Sequence, residues 1–356
     1  MPTPFRIGIS ADFKTAAPGR LEPALRTLIE PLPHVSYGEF APTGQDDAGP
    51  YVTPADIADF DAVLVLGPRF TAASFSGQDR LAVIARWGVG YDMIDVAACT
   101  ANDVLLAITV DAVRRPVAEA ILTLMLALAK QLPAKDRLVR TGRWDLRGEL
   151  PALGLRDKTV GSVGLGNIGA EMFRLLAPFG LGRRLAADPY ARPEVVAELG
   201  VELVDLETLF QESDFIAVNC PLTPETRGLV NARLLSRMKP TAYLINTARG
   251  PIVNQDDLVA ALEAGQIAGA GLDVFDPEPL PVDHPLTRME NVILSPHSLA
   301  WTDELYRDNS LGACENILQV FQGQLPRYTV NREVVQRPGF QAKLQVLKAA
   351  WQAAVG

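Results

Sequence analysis

Histidine and cysteine are scarce in this chain. Three of each occur in 356 residues: His34, His284 and His297, and Cys99, Cys220 and Cys314. An odd cysteine count with no Cys-x-x-Cys pair excludes a disulfide framework and offers no zinc-ligand spacing. No metal site is therefore expected, and a cytoplasmic setting is. Any imidazole chemistry has only three places to go. Positive charge is also short: 33 Lys and Arg stand against 42 Asp and Glu, a net charge of −9. That balance excludes a protein that grips nucleic acid by neutralising phosphates. No basic run marks a membrane surface. The most apolar helical stretch, residues 121–129, ends at Lys130 and falls far short of the ~20 residues that cross a bilayer. Residues 1–10 lack a basic segment followed by an apolar core, so no leader is expected.

What is present is the mix of a soluble globular protein: 48% hydrophobic and 21% charged residues, in a length that suits two domains. Short apolar runs alternate with helical patterns. Strands are expected near 6–10, 62–66, 81–84 and 104–108, with helices at 21–31 and 92–101. Residues 42–54 carry Pro, Gly and Asp and read as a loop. A long helix is expected over 117–132. The pattern then restarts with a strand at 159–163, a glycine turn and a helix at 170–177. Apolar runs follow at 185–187, 215–218, 243–245, 269–272 and 292–294. Six strands in this alternation complete a dinucleotide-binding domain. A helix near 304–321 and a tail with Leu344, Leu347 and Trp351 on one face close the chain. The expected fold is α/β, two Rossmann-like or flavodoxin-like doubly wound parallel sheets with a cleft between them. One domain takes 1–109 plus 304–356, and the dinucleotide domain takes 110–303.

Residues 164–169 read Gly164-Leu165-Gly166-Asn167-Ile168-Gly169. Each glycine has a mechanical reason. Gly164 turns the chain off the strand, Gly166 admits a pyrophosphate close to the backbone, and Gly169 lets the helix pack near the sheet. The helix N-terminus offers free N–H groups and partial positive charge to phosphates. Asp188 ends the next strand, about twenty residues on, where a carboxylate accepts the ribose hydroxyls and repels a 2′-phosphate. NAD is expected over NADP, although Arg183, Arg184 and Arg192 nearby keep NADP open.

Ligands of open α/β sheets sit beyond the carboxyl ends of the strands. There the chain places Asn246 to Gly250, Asp273 to Pro279 and Ser295-Pro296-His297. An arginine, a carboxylate and a histidine thus share one edge. Hydride transfer at a 2-hydroxy acid needs those groups. A cation holds the carboxylate and polarises the C2 oxygen. A group titrating near neutrality moves the hydroxyl proton. A carboxylate orients the imidazole.

These segments, with Cys220-Pro221-Leu222-Thr223-Pro224-Glu225-Thr226, resemble the D-isomer-specific 2-hydroxyacid dehydrogenase family over nearly the whole chain. The resemblance implies that Arg249 binds substrate, that His297 is the general acid/base, and that Glu278 pairs with it. It implies NAD bound by Gly164, Gly166, Asn167, Ile168, Asp188, Cys220, Pro221, Thr226 and Ala248, with Asp273 at the nicotinamide carboxamide. Arg86 to Asp92 resembles the family's first-domain loop, so the amides of Val89 and Gly90 would hold the substrate carboxylate beside Arg249 and His297. It implies a small 2-hydroxy or 2-oxo acid as substrate. It also implies a homodimer through the long helices, with residues 130–150, including Arg143-Trp144, as an arm onto the neighbour.

Four residues depart from the family pattern. Arg69, Arg114 and Arg115 are candidate contacts for a second anionic group on the substrate. Trp301 is a candidate for the pocket mouth or for packing. Two alternatives stay open: an NADH-sensing regulator like the C-terminal-binding-protein corepressors, and a 3-phosphoglycerate dehydrogenase without a regulatory domain. Formate dehydrogenases carry glutamine where Glu278 stands, which disfavours that branch.

Overall fold

Two parallel sheets organise the chain. The computed structural model describes residues 5–355; Met1 to Pro4 and Gly356, which belong to the expected first domain, lie outside the described residues. One compact unit comprises Met1–Val113 with Thr302–Gly356, and the other comprises Arg114–Trp301.

The first unit holds five parallel strands in the order Val35–Phe40, Phe5–Ser10, Ala62–Val65, Val83–Arg86, Leu105–Ala107. Every residue of Ala62–Val65 is buried, as a central parallel strand covered on both faces requires. Val35–Phe40 is an edge strand with exposed Ser36, Tyr37 and Glu39, so no apolar run announces it. The expected loop at 42–54 contains an antiparallel hairpin, Gly44–Asp46 with Gly49–Tyr51. Gly49 takes φ +107° at its turn, a region open to glycine.

The C-terminal segment completes this unit. Val330 donates its amide to Leu106 at 2.8 Å. Asn331 is 1% exposed; its Oδ1 accepts from the Leu106 amide and its Nδ2 donates to the Val104 carbonyl, both at 2.8 Å. The helix Pro338–Val355 is tied down by Lys343, whose ammonium donates to the carbonyls of Leu81, Asn102 and Asp103 at 2.9, 3.1 and 3.2 Å. Burial lowers the pKa of that lysine, and the three acceptors compensate its lost hydration.

The second unit holds seven parallel strands in the order Glu202–Leu203, Arg183–Ala187, Thr159–Val163, Phe215–Val218, Tyr243–Asn246, Gly269–Leu272, Val292–Leu294. The six expected strands are all present. Glu202–Leu203 is an additional two-residue exposed edge. Strand order reverses between Thr159–Val163 and Phe215–Val218, which sets a ligand crevice beyond their carboxyl ends. The long helix is Val110–Ala129 and runs through Pro116, so it starts earlier than the proline suggested. Its buried residues Ile121, Leu124, Met125 and Leu128 recur at helical spacing and face the sheet. Gly271 permits this approach. A Cβ there would lie 3.0 Å from Leu124 and 3.3 Å from Leu128.

At Gln131 the backbone turns left-handed, φ +52°, and the next helix, Leu132–Arg140, leaves at 57°. Among the described residues no single helix is long and apolar enough to cross a membrane. Leu132–Arg140 buries no residue, and Leu132, Val139 and Trp144 stand 59%, 56% and 59% exposed.

Gly271→Val should destabilise the fold by about 1–3 kcal/mol through overpacking against Leu124 and Leu128. The check is the urea midpoint of unfolding; an unmoved midpoint would show that the helix can shift freely.

Candidate active site

The glycine turn follows its mechanical roles closely. Gly164 has φ +95°, and a Cβ on it would lie 2.9 Å from the Cys220 amide nitrogen. A Cβ on Gly169 would lie 2.7 Å from the Gly164 carbonyl oxygen. Gly166 is different: nothing stands within 4 Å of its would-be Cβ. It precedes the helix Asn167–Leu176, which no side chain caps, so the first amides point at open space suited to an anion. Asn167 is exposed and Ile168 half-buried at that mouth.

Asp188 lies half-buried beside the turn. Its Oδ2 accepts from the Leu165 amide at 2.7 Å and its Oδ1 from the Tyr190 amide at 2.8 Å. Each oxygen keeps acceptor capacity for a diol. The nearby arginines are engaged elsewhere: Arg183 with Glu202 at 2.7 Å and with Glu212, Arg184 with the Leu199 carbonyl at 2.6 Å, Arg192 with Glu194 at 4.0 Å. Two buried acceptors along this edge, Asn219 Oδ1 and Thr247 Oγ1, have no hydrogen-bond partner among the described residues. Open space at Gly166, a fixed carboxylate and two orphaned polar atoms fit a dinucleotide. Cys220 is half-buried, and burial pushes its thiol up to about 11, so it packs as a neutral group rather than reacting as a nucleophile. The Thr226 hydroxyl donates to the Pro221 carbonyl at 2.7 Å and shapes the loop between them.

The reactive groups stand further along the same edge. Asn246, 1% exposed, ends its strand and folds the next residues back on itself. Its Oδ1 accepts from the Ala248 amide at 3.0 Å, and its Nδ2 donates to the Arg249 carbonyl at 2.9 Å. Arg249 Nη1 donates to the Ala248 carbonyl at 2.7 Å. Gly250 allows the next loop to press against this turn, since a Cβ would fall 1.9 Å from the Phe275 carbonyl oxygen.

That loop carries Glu278. Its Oε1 accepts from the Phe275 amide at 3.0 Å, and its Oε2 lies 2.8 Å from His297 Nδ1. Burial pushes the carboxyl up, but the His297 hydrogen bond and charge, the Phe275 amide and the Arg249 charge together hold it below the ordinary glutamate value. Glu278 is thus an anion at neutral pH and only accepts, so Nδ1 carries the proton and Nε2 is left for a ligand.

His297 itself sits at φ +52°, a left-handed conformation that costs a non-glycine residue about 1–3 kcal/mol unless its surroundings fix it. Asp273 does the fixing. It is 4% exposed, and its Oδ1 accepts from the Ser298 and Leu299 amides at 3.1 and 3.2 Å and from the Ser295 hydroxyl. The motif reading did not single out Asn246 or Ser295. A polar residue closing a buried strand was the available signal.

In the first unit, Gly88 has φ +127° and is clamped to Thr109: the Gly88 amide donates to Thr109 Oγ1 at 2.9 Å and the Thr109 amide to the Gly88 carbonyl at 3.1 Å. Among the described residues nothing accepts from the half-buried amides of Val89 and Gly90 that follow.

The remaining candidates have partners. Arg69 pairs with Asp46, Arg114 with Glu171 at 3.7 Å, and Arg115 with Glu119 at 2.5 Å and Glu171 at 3.7 Å. Trp301 is half-buried, its amide donating to the Ser298 carbonyl at 2.9 Å.

The profile of the D-isomer specific 2-hydroxyacid dehydrogenase NAD binding domain matches residues 122–298. A glyoxylate reductase of Korarchaeum cryptofilum is 39% identical over 291 residues, 80% of this chain and 87% of the relative. A D-3-phosphoglycerate dehydrogenase of Synechocystis is 37% identical, over 77% of this chain and 49% of the relative. The crystal structure of the TT0316 protein of Thermus thermophilus superposes with a TM-score of 0.77 at 29% identity, over 92% of this chain and all of that one. The chain is an NAD-dependent oxidoreductase that interconverts a 2-hydroxy acid and its 2-oxo acid, and it belongs to the D-isomer specific 2-hydroxyacid dehydrogenase family.

Proposed function

We propose that this chain reduces a short 2-oxo acid of the glyoxylate class, with His297 as acid/base, Glu278 as its partner and Arg249 as the substrate's cation. One observation carries the reading: His297 Nδ1 and Glu278 Oε2 stand 2.8 Å apart on the edge that Arg249 shares. The glyoxylate reductase relatives support the substrate class.

NAD, when bound, supplies or takes the hydride at C2. The protein's own groups do the rest. His297 Nε2 gives a proton to the C2 oxygen during reduction and removes it during oxidation. Glu278 keeps the ring in the orientation and tautomer that leave Nε2 toward substrate, and it stabilises the imidazolium. Arg249 binds the carboxylate and draws charge onto the C2 oxygen. The amides of Val89 and Gly90 hold the carboxylate from the first unit, which serves as the substrate-binding domain. In the second unit, Gly164, Gly166, Asn167, Ile168, Asp188, Cys220, Pro221, Thr226 and Ala248 hold the cofactor. Asp273 acts there through the His297 loop as well as toward the nicotinamide. The arginines that a second anionic group would require are paired with carboxylates, which favours a singly charged substrate.

We further propose a cytoplasmic homodimer. Its three cysteines are free thiols, which suits a reducing compartment. Leu132, Val139 and Trp144 are exposed apolar residues on the arm, which a second copy would cover.

The protein should oxidise NADH with glyoxylate, and more slowly with hydroxypyruvate or pyruvate. His297→Ala should lower kcat on all three by roughly a hundred- to ten-thousandfold with the NADH Kd within about twofold; retained turnover would remove His297 from the mechanism. Asp188→Ala should weaken NADH by roughly tenfold or more, the worth of hydrogen bonds to a charged group, and narrow the gap to NADPH. An unchanged NADH to NADPH ratio would exclude Asp188 from ribose recognition. Light scattering should give a dimer, and Val139→Glu with Trp144→Glu should give a monomer; a wild-type monomer would contradict the interface.

A further inference from the structure

The loop that carries Glu278 is held by a residue that none of the motifs contains. Gln255 opens the helix Gln255–Glu263, and its amide makes two bonds to one residue of that loop. Nε2 donates to the Asp276 carbonyl at 2.9 Å, and Oε1 accepts from the Asp276 amide at 3.1 Å. The pairing is self-consistent in only one direction, because only the oxygen can accept from the N–H. The same Nε2 lies 3.2 Å from His284 Nε2, and His284 is itself fixed by the Leu286 amide, which donates to its Nδ1 at 3.3 Å. With Nδ1 accepting, a neutral His284 carries its proton on Nε2, so its approach to Gln255 Nε2 is a contact of two donors and adds no hydrogen bond.

Asp276 is two residues ahead of Glu278. It is exposed, so water would satisfy its backbone if Gln255 were replaced. What would be lost is direction, not hydration. Among the described residues the loop is also held by the Phe275 amide on Glu278 Oε1, by the approach of Phe275 to Gly250, and at its carboxylate by His297. The first two hold its start at Phe275 and the third its end. Of these attachments only Gln255 grips the stretch between that start and the carboxylate.

We infer that Gln255 is a positioning residue for the acid/base pair. By grasping both backbone groups of Asp276 it fixes the path of the chain into Glu278, and through Glu278 Oε2 the orientation of His297. The inference rests on the His297–Glu278 reading above.

The test uses the full chain with glyoxylate as probe. Gln255→Met keeps side-chain length and removes both bonds; Gln255→Glu keeps the acceptor for the Asp276 amide and loses the donor. The methionine variant should lose roughly ten- to hundredfold in kcat, the scale of a small misplacement, with KM and NADH Kd within about twofold. The acid limb of its kcat/KM profile should also move. The glutamate variant should recover part of the loss. In a Glu278→Gln background, where no charged carboxylate remains to be aimed, Gln255→Met should add little. Unchanged kcat, an unmoved pH profile, or fully additive losses would overturn the inference. If the methionine variant fails to fold, the glutamate variant and its own cycle with Glu278→Gln decide the matter. Turnover surviving His297→Ala would reject the underlying acid/base reading; activity lost there but intact in Gln255→Met would reject this inference alone.

Discussion

The buried carboxylate of Asp273 is the constraint on which the site depends. A histidine in the left-handed region has no local reason to stay there. Asp273 supplies a distant one by gathering the Ser298 and Leu299 amides and the Ser295 hydroxyl onto its oxygens. These donors lie on both sides of His297. The backbone is thereby closed around an anion, and the imidazole is carried outward on the resulting bend. Charge-assisted bonds of this kind are the stronger ones, and their burial at 4% exposure shields them from competing water.

From that bend the arrangement passes through glutamate to glycine. His297 meets Glu278 because the Phe275–Glu278 loop folds back on its own amide. The loop reaches the edge because Gly250 has no side chain to keep Phe275 away. Gly271, one strand over, does the same for the long helix behind the sheet. The chemistry stands on side chains, but its geometry is set by missing ones. Polar residues at strand ends, Asn246 above all, then lock the turns that the glycines make possible.

Much of this was legible in the sequence, and the reasons are physical. The six longer strands of the second unit contain apolar runs, buried or half-buried, and the glycine turn, Arg249, Glu278 and His297 each follow such a run. Two of the edge strands were not legible, whereas Leu105–Ala107 and Val292–Leu294, also edges, carry apolar runs. Val35–Phe40 mixes exposed and half-buried residues, buries only Phe40 and contains Gly38, while Glu202–Leu203 is two exposed residues long. The hairpin inside 42–54 is made of turn formers, whose composition is the same whether they pair or not. The helix Val110–Ala129 was shortened by Pro116, a local signal that packing overrode. Gln255 escaped because its function lies in two bonds to a backbone fold that no pattern of side chains discloses.

The first unit is built from both ends of the described chain. Its sheet uses residues from Phe5 to Ala107, yet Leu106 and Val104 are paired with Val330 and Asn331, and Leu81 with Lys343. On a ribosome these partners emerge long after the strands they secure, 225 residues later for Asn331 and 262 for Lys343. The intervening 114–301 unit contains its own sheet entire and can close while the earlier strands still wait. The first unit's sheet therefore stays without those partners until the second unit has been synthesised.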